Sequence, residues 1–288
     1  ERQQTPHRLR LNRNAKGSRI VRIAAIGLVI LLGSAIVLHQ KLPATPTRRH
    51  FRHSKPRIAV LLPLSGESPP PYLSVFCWGA RAASSVADFY IIHTGILQNV
   101  TDCASNVFMV DYQSTKGLAQ HLVKVVDDVK DEELKIPRDR LIEVISRHIH
   151  DIPYALVEWK MALGYIFQDI LEGDGDKPRY SHWAYSDLDI VFGDLQRWIT
   201  VDEWDFDIVT YGFGDQHRLY PRGQFTIHKN SPKVNSVWKA CDFLSRLDVR
   251  WKEISDKKSK YKFESAEGCY SAAILQRKDL SVKYAVKA

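Results

Sequence analysis

The chain has 288 residues, of which 44% are hydrophobic, and it carries a formal net charge of +8. That length is enough for one sizeable domain or two small ones. Residues 1–56 contain 12 of the 41 Lys and Arg residues but only one of the 33 Asp and Glu residues, so the rest is slightly acidic. The positive charge therefore belongs to the N-terminal segment, and the remainder has no charge pattern that predicts nucleic-acid binding.

An apolar run follows the basic N-terminal segment. No residue from Ile23 to Leu38 is charged, and the run extends back to Ile20 across Arg22. It is slightly shorter than the ~20 residues that cross an average bilayer, which suits a thinner membrane or an arginine that snorkels to the interface. By the positive-inside rule, the N-terminus is cytosolic and the rest is lumenal. We therefore expect a cytosolic tail at 1–19, a transmembrane signal anchor at 20–38 and a stem at 39–56, with a cleaved signal peptide as the alternative.

Two further features fit a lumenal domain. Asn99 begins an N-glycosylation sequon, Asn99-Val100-Thr101. All four cysteines also follow the apolar run; they can pair in three ways, and the sequence does not choose among these or exclude free thiols. None has the spacing of a zinc site. The cysteines are Cys77, Cys103, Cys241 and Cys269.

Predicted strands and helices alternate through residues 57–288. Continuous apolar runs predict buried strands at 58–64, 87–93 and 106–110. Apolar residues at helical spacing predict helices within 72–86, 115–150 and 158–171. This alternation predicts an α/β domain with a Rossmann-type, mostly parallel sheet flanked by helices. The chain stops at Ala288, directly after strand-like sequence, so we expect the domain to be truncated at its C-terminus.

The most informative motif is Asp187-Leu188-Asp189, which lies in a β-forming run over 181–195. Two carboxylates at the end of a buried strand repel each other and lose hydration, and a divalent cation relieves both costs. Mg²⁺ or Mn²⁺ held in this way neutralises a nucleotide diphosphate as a leaving group. The alternative is that both acids cap a neighbouring helix or face water, because so short a motif often matches by chance.

Longer sequence blocks surround the motif: WKMALGYIF at 159–167, HWAYSDLDIVFGDL at 182–195, DIVTYGFGD at 207–215 and RGQFTIHKN at 222–230. These blocks resemble a known family, the DUF6625 glycosyltransferase-like group in its fungal form. The resemblance extends over about 57–288 and is strongest over 152–230. It implies a GT-A-type transferase that moves a sugar from a UDP- or GDP-sugar to a glycan or glycoconjugate acceptor. An anchored lumenal domain on a short stem is also how Golgi glycosyltransferases are built, which implies a single-pass type II Golgi membrane protein.

The resemblance implies a donor side of the site. Asp189 coordinates Mn²⁺ or Mg²⁺, and Asp187 binds either the metal or the donor ribose. Lys160 reaches the diphosphate across Gly164, or else is an ordinary lysine that flanks an apolar stripe. His217 contacts phosphate or sugar, with an ordinary loop position as the alternative.

The resemblance also implies an acceptor side. Arg222-Gly223-Gln224 forms a strand edge beside the acceptor, with a strand that contains a turn-forming glycine as the alternative. For an inverting reaction, Glu264 or Glu267 is the catalytic base, since acids three apart share a face of a helix whose N-terminus keeps them ionised. The structural alternative makes Ser265 the N-cap and places Glu267 in the first turn. A further metal ligand is expected beyond Ala288.

Two other functions compete with the transferase. In a HAD-type phosphohydrolase, Asp187 attacks phosphorus and Asp189 acts as acid and base. Against it, a long α/β pattern precedes the motif, whereas that nucleophile loop normally opens its domain. The non-enzymatic alternative is a lumenal carbohydrate-binding or scaffold protein, a transferase fold without activity.

Overall fold

The computed structural model describes residues 55–98, 100, 102–127, 137–173, 178–212, 220–221, 223–241 and 266–287. The expected tail, the expected anchor and most of the expected stem lie outside these ranges, as does the sequon residue Asn99. Within the described ranges, no helix combines the length and the apolar character needed to cross a membrane.

Seven strands, nine α-helices and three 3₁₀ segments form the described part of the chain. The strands are β1 (Ile58–Leu64), β2 (Ala87–His93), β3 (Val107–Asp111), β4 (His182–Ser186), β5 (Ile208–Gly212), β6 (Phe225–Lys229) and β7 (Val282–Val286). The α-helices are α1 (Leu73–Ala82), α2 (Thr115–Leu122), α3 (Lys124–Asp127), α4 (Arg138–Asp151), α5 (Leu163–Ile166), α6 (Gln168–Leu171), α7 (Leu195–Trp198), α8 (Pro232–Asn235) and α9 (Ala266–Gln276). The 3₁₀ segments are Pro153–Ala162, Val201–Asp205 and Val237–Ala240.

Among the described residues the strands make one sheet in the order β3-β2-β1-β4-β6-β5-β7. All neighbours are parallel except that β6 runs antiparallel to both β4 and β5. The chain builds outward from β1 to β3 on one side and then returns to place β4 on the other side of β1. The prediction of an α/β domain with a mostly parallel sheet flanked by helices is confirmed.

The sheet is covered on both faces. Along β1, Ala59 and Leu61 pack into one core with helices α2, α4 and α9, while Val60 and Leu62 pack into a second core with α1 and α7. All seven residues of β2 are buried. Burial on two faces explains why these strands are continuous apolar runs, and why β1 and β2 begin and end where the sequence predicts.

Three predicted elements differ from the structure. The strand predicted as buried at 106–110 is β3, which begins at Val107 and has no fully buried residue, because it lies at the edge of the sheet. The predicted helix at 158–171 is a 3₁₀ segment up to Ala162, followed by the short helices α5 and α6. The predicted strand at 181–195 ends at Ser186, because Asp187 turns the chain away and Asp194 begins α7 by accepting hydrogen bonds from the backbone of Gln196 and Arg197. The β-forming residues Ile190, Val191 and Phe192 follow the turn and are not part of the sheet.

The structure resolves the pairing that the sequence left open. One disulfide joins Cys77 of α1 to Cys103, and the other joins Cys241 to Cys269 in α9. A disulfide stabilises a fold chiefly by restricting its unfolded chain. The second bridge also fixes the first turns of α9, which is relevant to the site below.

The burial of His228 predicts how the free energy of unfolding depends on pH. His228 lies flat on Trp183 of the neighbouring strand, with 4.0 Å between ring centroids. Burial lowers the pKa of His228 to about 3 and that of His182 to about 4. An unfolded histidine takes up its proton near pH ~6.5, so the unfolded state binds more protons below that pH and stability is lost as pH falls from ~6.5 toward 4.

We expect the free energy of unfolding, measured by urea titration between pH 7 and pH 4, to fall less steeply in His228→Phe than in the wild type. Phenylalanine retains the ring on Trp183 but takes up no proton, which removes up to about 1.4 kcal/mol per pH unit from the slope. His150→Phe, on the exposed side of α4, is the control and retains the wild-type slope. Equal slopes for His228→Phe and the wild type would contradict this account.

Candidate functional site

A cavity of about 440 Å³ opens where β1 and β4 end. Leu62 to Ser65 form one part of its wall, and Ser186 to Asp189 form another. From β1 the chain continues to β2 on one side of the β1–β4 pair in the strand order, and from β4 it continues to β5 on the other side of that pair. In open α/β sheets such a switch point leaves a crevice at the carboxyl ends of the strands, and ligands bind there.

Six of the residues singled out in the sequence line this cavity, although they come from four distant parts of the chain. They lie in the first 3₁₀ segment, in the turn after β4, in the residues before β6 and in the first turn of α9. The fold thus brings together both sides of the expected site. The six residues are Lys160, Asp187, Asp189, Gly223, Gln224 and Glu267.

Lys160 and Asp187 form an ion pair at the centre of this group. The Lys160 ammonium contacts Asp187 Oδ1 and also donates a hydrogen bond to the carbonyl oxygen of Gly223 at 2.8 Å. The Lys160 side chain is only 6% exposed and that of Asp187 is 32% exposed. A buried ammonium needs a counter-ion, and Asp187 provides it.

Gly164 does not lie between Lys160 and the cavity, contrary to the expected route. A Cβ atom at Gly164 would lie 2.1 Å from the indole of Trp183, so this glycine lets α5 approach β4 closely. Lys160 reaches Asp187 directly instead, from the 3₁₀ segment before α5.

The peptide of Gly223 connects Lys160 to Glu267. Its carbonyl accepts from Lys160, and its N–H donates to Glu267 Oε1 at 2.5 Å. A Cβ atom at this position would lie 3.1 Å from that same carboxylate oxygen. The close approach of two charged side chains therefore explains the glycine.

The segment before β6 is also tied to the end of β4. Ser186 Oγ donates to the carbonyl oxygen of Gln224 at 2.6 Å, and the register pairs Ser186 with Phe225. Because β6 is antiparallel, its first residues lie beside the last residues of β4. This geometry places Gly223 and Gln224 next to Asp187.

Glu267 lies in the first turn of α9, as the structural alternative expected. A carboxylate from elsewhere satisfies the start of that helix: Glu158 Oε2 accepts from the backbone N–H of Ala266 at 2.7 Å. Burial raises the pKa of Glu158, and the charge of Glu267 adds to that rise against the opposing hydrogen bond from Ala266. The two acids are thus electrostatically coupled.

Two tyrosines on the cavity wall, Tyr72 and Tyr154, are not among the site residues predicted from the sequence. Tyr72, at the start of α1, is 42% exposed, and Tyr154, in the first 3₁₀ segment, is 77% exposed. Burial raises the pKa of both hydroxyls, and nearby carboxylates raise it further: Asp189 and then Asp187 at Tyr72, and chiefly Asp187 at Tyr154. Tyr72 could have been predicted as a site residue, because it follows the loop after β1. Nothing in the sequence marks Tyr154 or Glu158 in the same way.

The carboxylates provide a partial set of metal ligands. Among the described residues, no three His, Cys, Asp or Glu side chains are grouped so that they could hold a metal ion. Asp187 and Asp189 do provide oxygen donors from one turn, the ligand type that Mg²⁺ and Mn²⁺ prefer. Mg²⁺ is commonly held by one or two carboxylates, with water and substrate phosphates as its other ligands. The pair fits a cation of that kind, one that shares its coordination with a phosphate ligand.

Three predicted site residues fall outside the described ranges: His217, Arg222 and Glu264. The same holds for Ser265, the alternative N-cap of α9. Their expected roles therefore stay predictions.

The chain belongs to the DUF6625 family, a family of unknown function whose model matches residues 122–284. The matched range includes all six residues of the cavity group. Membership assigns no activity, because the family itself has none established.

No curated protein matches this chain in sequence. A bifunctional IspDF from Campylobacter jejuni is among the similar solved structures, with 10% sequence identity and a TM-score of 0.33. The match covers 81% of this chain and 50% of that protein, so the chain spans about half of its length. A likeness of that size establishes neither a shared fold nor a shared activity.

The Lys160–Asp187 pair predicts that the two acids of the motif differ in their effect on stability. Asp187→Asn leaves a buried ammonium without its counter-ion, and we expect it to lower the free energy of unfolding by about 2 kcal/mol. Asp189→Asn is the matched control; its side chain is exposed, and we expect a change within about 0.5 kcal/mol.

A double-mutant cycle with Lys160→Met and Asp187→Leu, measured by urea titration, tests the same contact. Replacing both partners removes the unpaired charge, so we expect a coupling energy of about 1 kcal/mol or more. Equal stability of Asp187→Asn and Asp189→Asn, together with zero coupling, would show that the contact contributes nothing.

Proposed function

We propose that this chain is a metal-dependent glycosyltransferase of the GT-A type, which moves a sugar from a nucleotide-sugar donor to a glycan or glycoconjugate acceptor. One observation carries the proposal: a buried lysine, an Asp-x-Asp turn and a glutamate converge on one cavity at the switch point of a mostly parallel sheet. That combination suits a ligand with a diphosphate and a reacting centre beside it.

On the donor side, the diphosphate lies beside Lys160 and the Asp-x-Asp turn. Asp189 holds the cation, and Asp187 contributes a second oxygen or binds the donor ribose. When bound, Mn²⁺ or Mg²⁺ neutralises charge on the departing diphosphate. Lys160 adds a positive charge from the cavity wall, which stabilises the departing diphosphate.

On the acceptor side, Glu267 is the proposed base of an inverting reaction. The Gly223 N–H fixes one of its carboxylate oxygens, which orients the group toward the cavity wall that it shares with Gln224. Glu264 remains the second candidate for the base.

The proposed location is the Golgi lumen, with the domain held by a single N-terminal anchor. The Cys77–Cys103 and Cys241–Cys269 disulfides support it, because such bridges persist in oxidising compartments and are rare in the cytosol. The basic segment before the apolar run gives the matching orientation.

One observation favours the non-catalytic alternative. In the described part of the chain Lys160 already neutralises Asp187, and no third metal ligand joins the Asp pair. A carbohydrate-binding protein with a degenerate site has the same features. The phosphohydrolase is less well supported, because the Asp-x-Asp turn follows the fourth strand of the sheet rather than opening the domain.

A donor screen tests the proposal. We expect the full-length protein with Mn²⁺ to hydrolyse one UDP- or GDP-sugar, and we expect EDTA to abolish that activity. Asp189→Ala lowers the rate by about 100-fold or more, since it removes charge stabilisation of the leaving group. Asp139→Ala, at the exposed start of α4, is the control and retains the activity.

Three outcomes separate the alternatives. Absence of turnover together with absence of metal-dependent nucleotide binding contradicts the proposal. Binding of glycans without turnover favours the carbohydrate-binding protein. Release of inorganic phosphate from phosphomonoesters, with the sugar nucleotides left intact, favours the phosphohydrolase.

The exposed ring of Tyr154 suits stacking against a planar base or the face of a sugar. Stacking of this kind contributes ~1–3 kcal/mol per base. We expect Tyr154→Leu to weaken nucleotide binding by about 10-fold, measured by calorimetry, and Tyr154→Phe to bind as the wild type does, because the ring rather than the hydroxyl makes the contact. Equal loss in both variants would assign the effect to the hydroxyl instead.

A further inference from the structure

Lys160 forms an ion pair with Asp187, one of the two acids that the proposed function assigns to a divalent cation. We infer that this lysine makes cation binding depend on a diphosphate-bearing anion, so that the site takes the cation and the anion together and takes each of them poorly alone. The inference rests on the proposed function, because it requires a divalent cation at the Asp187–Asp189 turn.

The first step is the cost of bringing a cation to Asp187. If Lys160 stays where it is, an ammonium and a dication meet at one carboxylate and repel each other. If Lys160 withdraws, its side chain, only 6% exposed, loses its counter-ion. Either course weakens binding of a cation that arrives alone.

The second step is that the surrounding protein does not provide a substitute counter-ion at low cost. Among the described residues, Lys160 also donates a hydrogen bond to a neutral acceptor, the carbonyl oxygen of Gly223. Glu267 already uses Oε1 to accept from the Gly223 N–H. Asp189 is the acid that the cation itself requires. A phosphate group that arrives with the cation supplies the missing negative charge, and Lys160 then pairs with that phosphate.

The third step concerns an anion that arrives alone. Among the described side chains that line the cavity, the charged groups are Lys160 and the acids Asp187, Asp189 and Glu267, which give a net charge of −2. This wall repels a free diphosphate. The cation removes that repulsion, so each ligand assists the other, and the coupling is reciprocal by linkage.

The test compares Lys160→Met with the wild type in two titrations by calorimetry, one with Mn²⁺ alone and one with UDP at saturating Mn²⁺. Removing the ammonium removes a competitor of the cation and a partner of the phosphate. We therefore expect opposite effects: Mn²⁺ alone binds about 10-fold more tightly, and UDP with Mn²⁺ binds about 10-fold more weakly.

Three comparisons make the result specific. Lys239→Met removes an exposed lysine outside the cavity, and both affinities stay at wild-type values. Lys160→Arg retains the charge, so we expect Mn²⁺ alone to bind no more tightly to it than to the wild type. In the wild type itself, Mn²⁺ alone leaves the Tm nearly unchanged, whereas Mn²⁺ with UDP raises it, a measurement that needs no variant.

The outcomes separate this inference from the proposed function. If Lys160→Met leaves the affinity for Mn²⁺ alone unchanged or weaker, the inference is wrong, while loss of Mn²⁺-dependent UDP binding in Asp189→Asn still supports the transferase. If neither the wild type nor Lys160→Met binds Mn²⁺ or UDP, the proposed function fails and the inference fails with it. UDP binding that needs Lys160 but no metal overturns both.

Discussion

The candidate site depends on one constraint: an ammonium group that lies almost wholly inside the protein must have a negative partner. Lys160 is buried because the 3₁₀ segment that carries it packs beneath the end of the sheet. Asp187 neutralises it, and the Gly223 carbonyl provides a second acceptor. These contacts fix the relative positions of the turn after β4 and the segment before β6, and so define the cavity wall.

The fold meets that constraint through the direction of its strands. The parallel strands β1 and β4 end at the same edge, which is where a crevice forms. The reversed direction of β6 brings its first residues to that edge as well, so Gly223 meets Lys160 on one side and Glu267 on the other. The Cys241–Cys269 bridge then holds the start of α9, and with it Glu267, beside the sheet.

The sequence predicted best those elements whose formation depends on residues close together in the chain. Strands β1 and β2 were predicted at their observed bounds because burial on two faces requires an unbroken apolar run. The strand that precedes the Asp-x-Asp motif was predicted too long, because Ile190, Val191 and Phe192 are β-formers that follow the turn at the end of that strand. The prediction of one α-helix over 158–171 was wrong, because its first part is a 3₁₀ segment. The spacing of apolar residues does not distinguish a 3₁₀ segment from an α-helix over a few turns.

Residue contacts at the site were harder to predict, because they join positions far apart in the chain. Nothing near Lys160 indicates that its partner is Asp187, and nothing near Ala266 indicates that Glu158 accepts from its backbone. Gly223 was predicted as a turn residue or as a strand edge, whereas its small size serves the approach of Glu267. Such roles follow from the packing of separate elements and leave no periodic trace in the sequence.

The packing also separates two acids that the motif presents as a pair. Asp187 is partly buried and already pairs with the Lys160 ammonium. Asp189, two residues later, is exposed at the cavity. Under the proposed function, a cation that approaches from solvent meets Asp189 first and reaches Asp187 only at the expense of its contact with Lys160. The two acids would then differ in their affinity for the cation because of the buried lysine, although their spacing alone gives no reason for a difference. A buried lysine behind an Asp-x-Asp turn would in that case favour a ligand that brings its own negative charge.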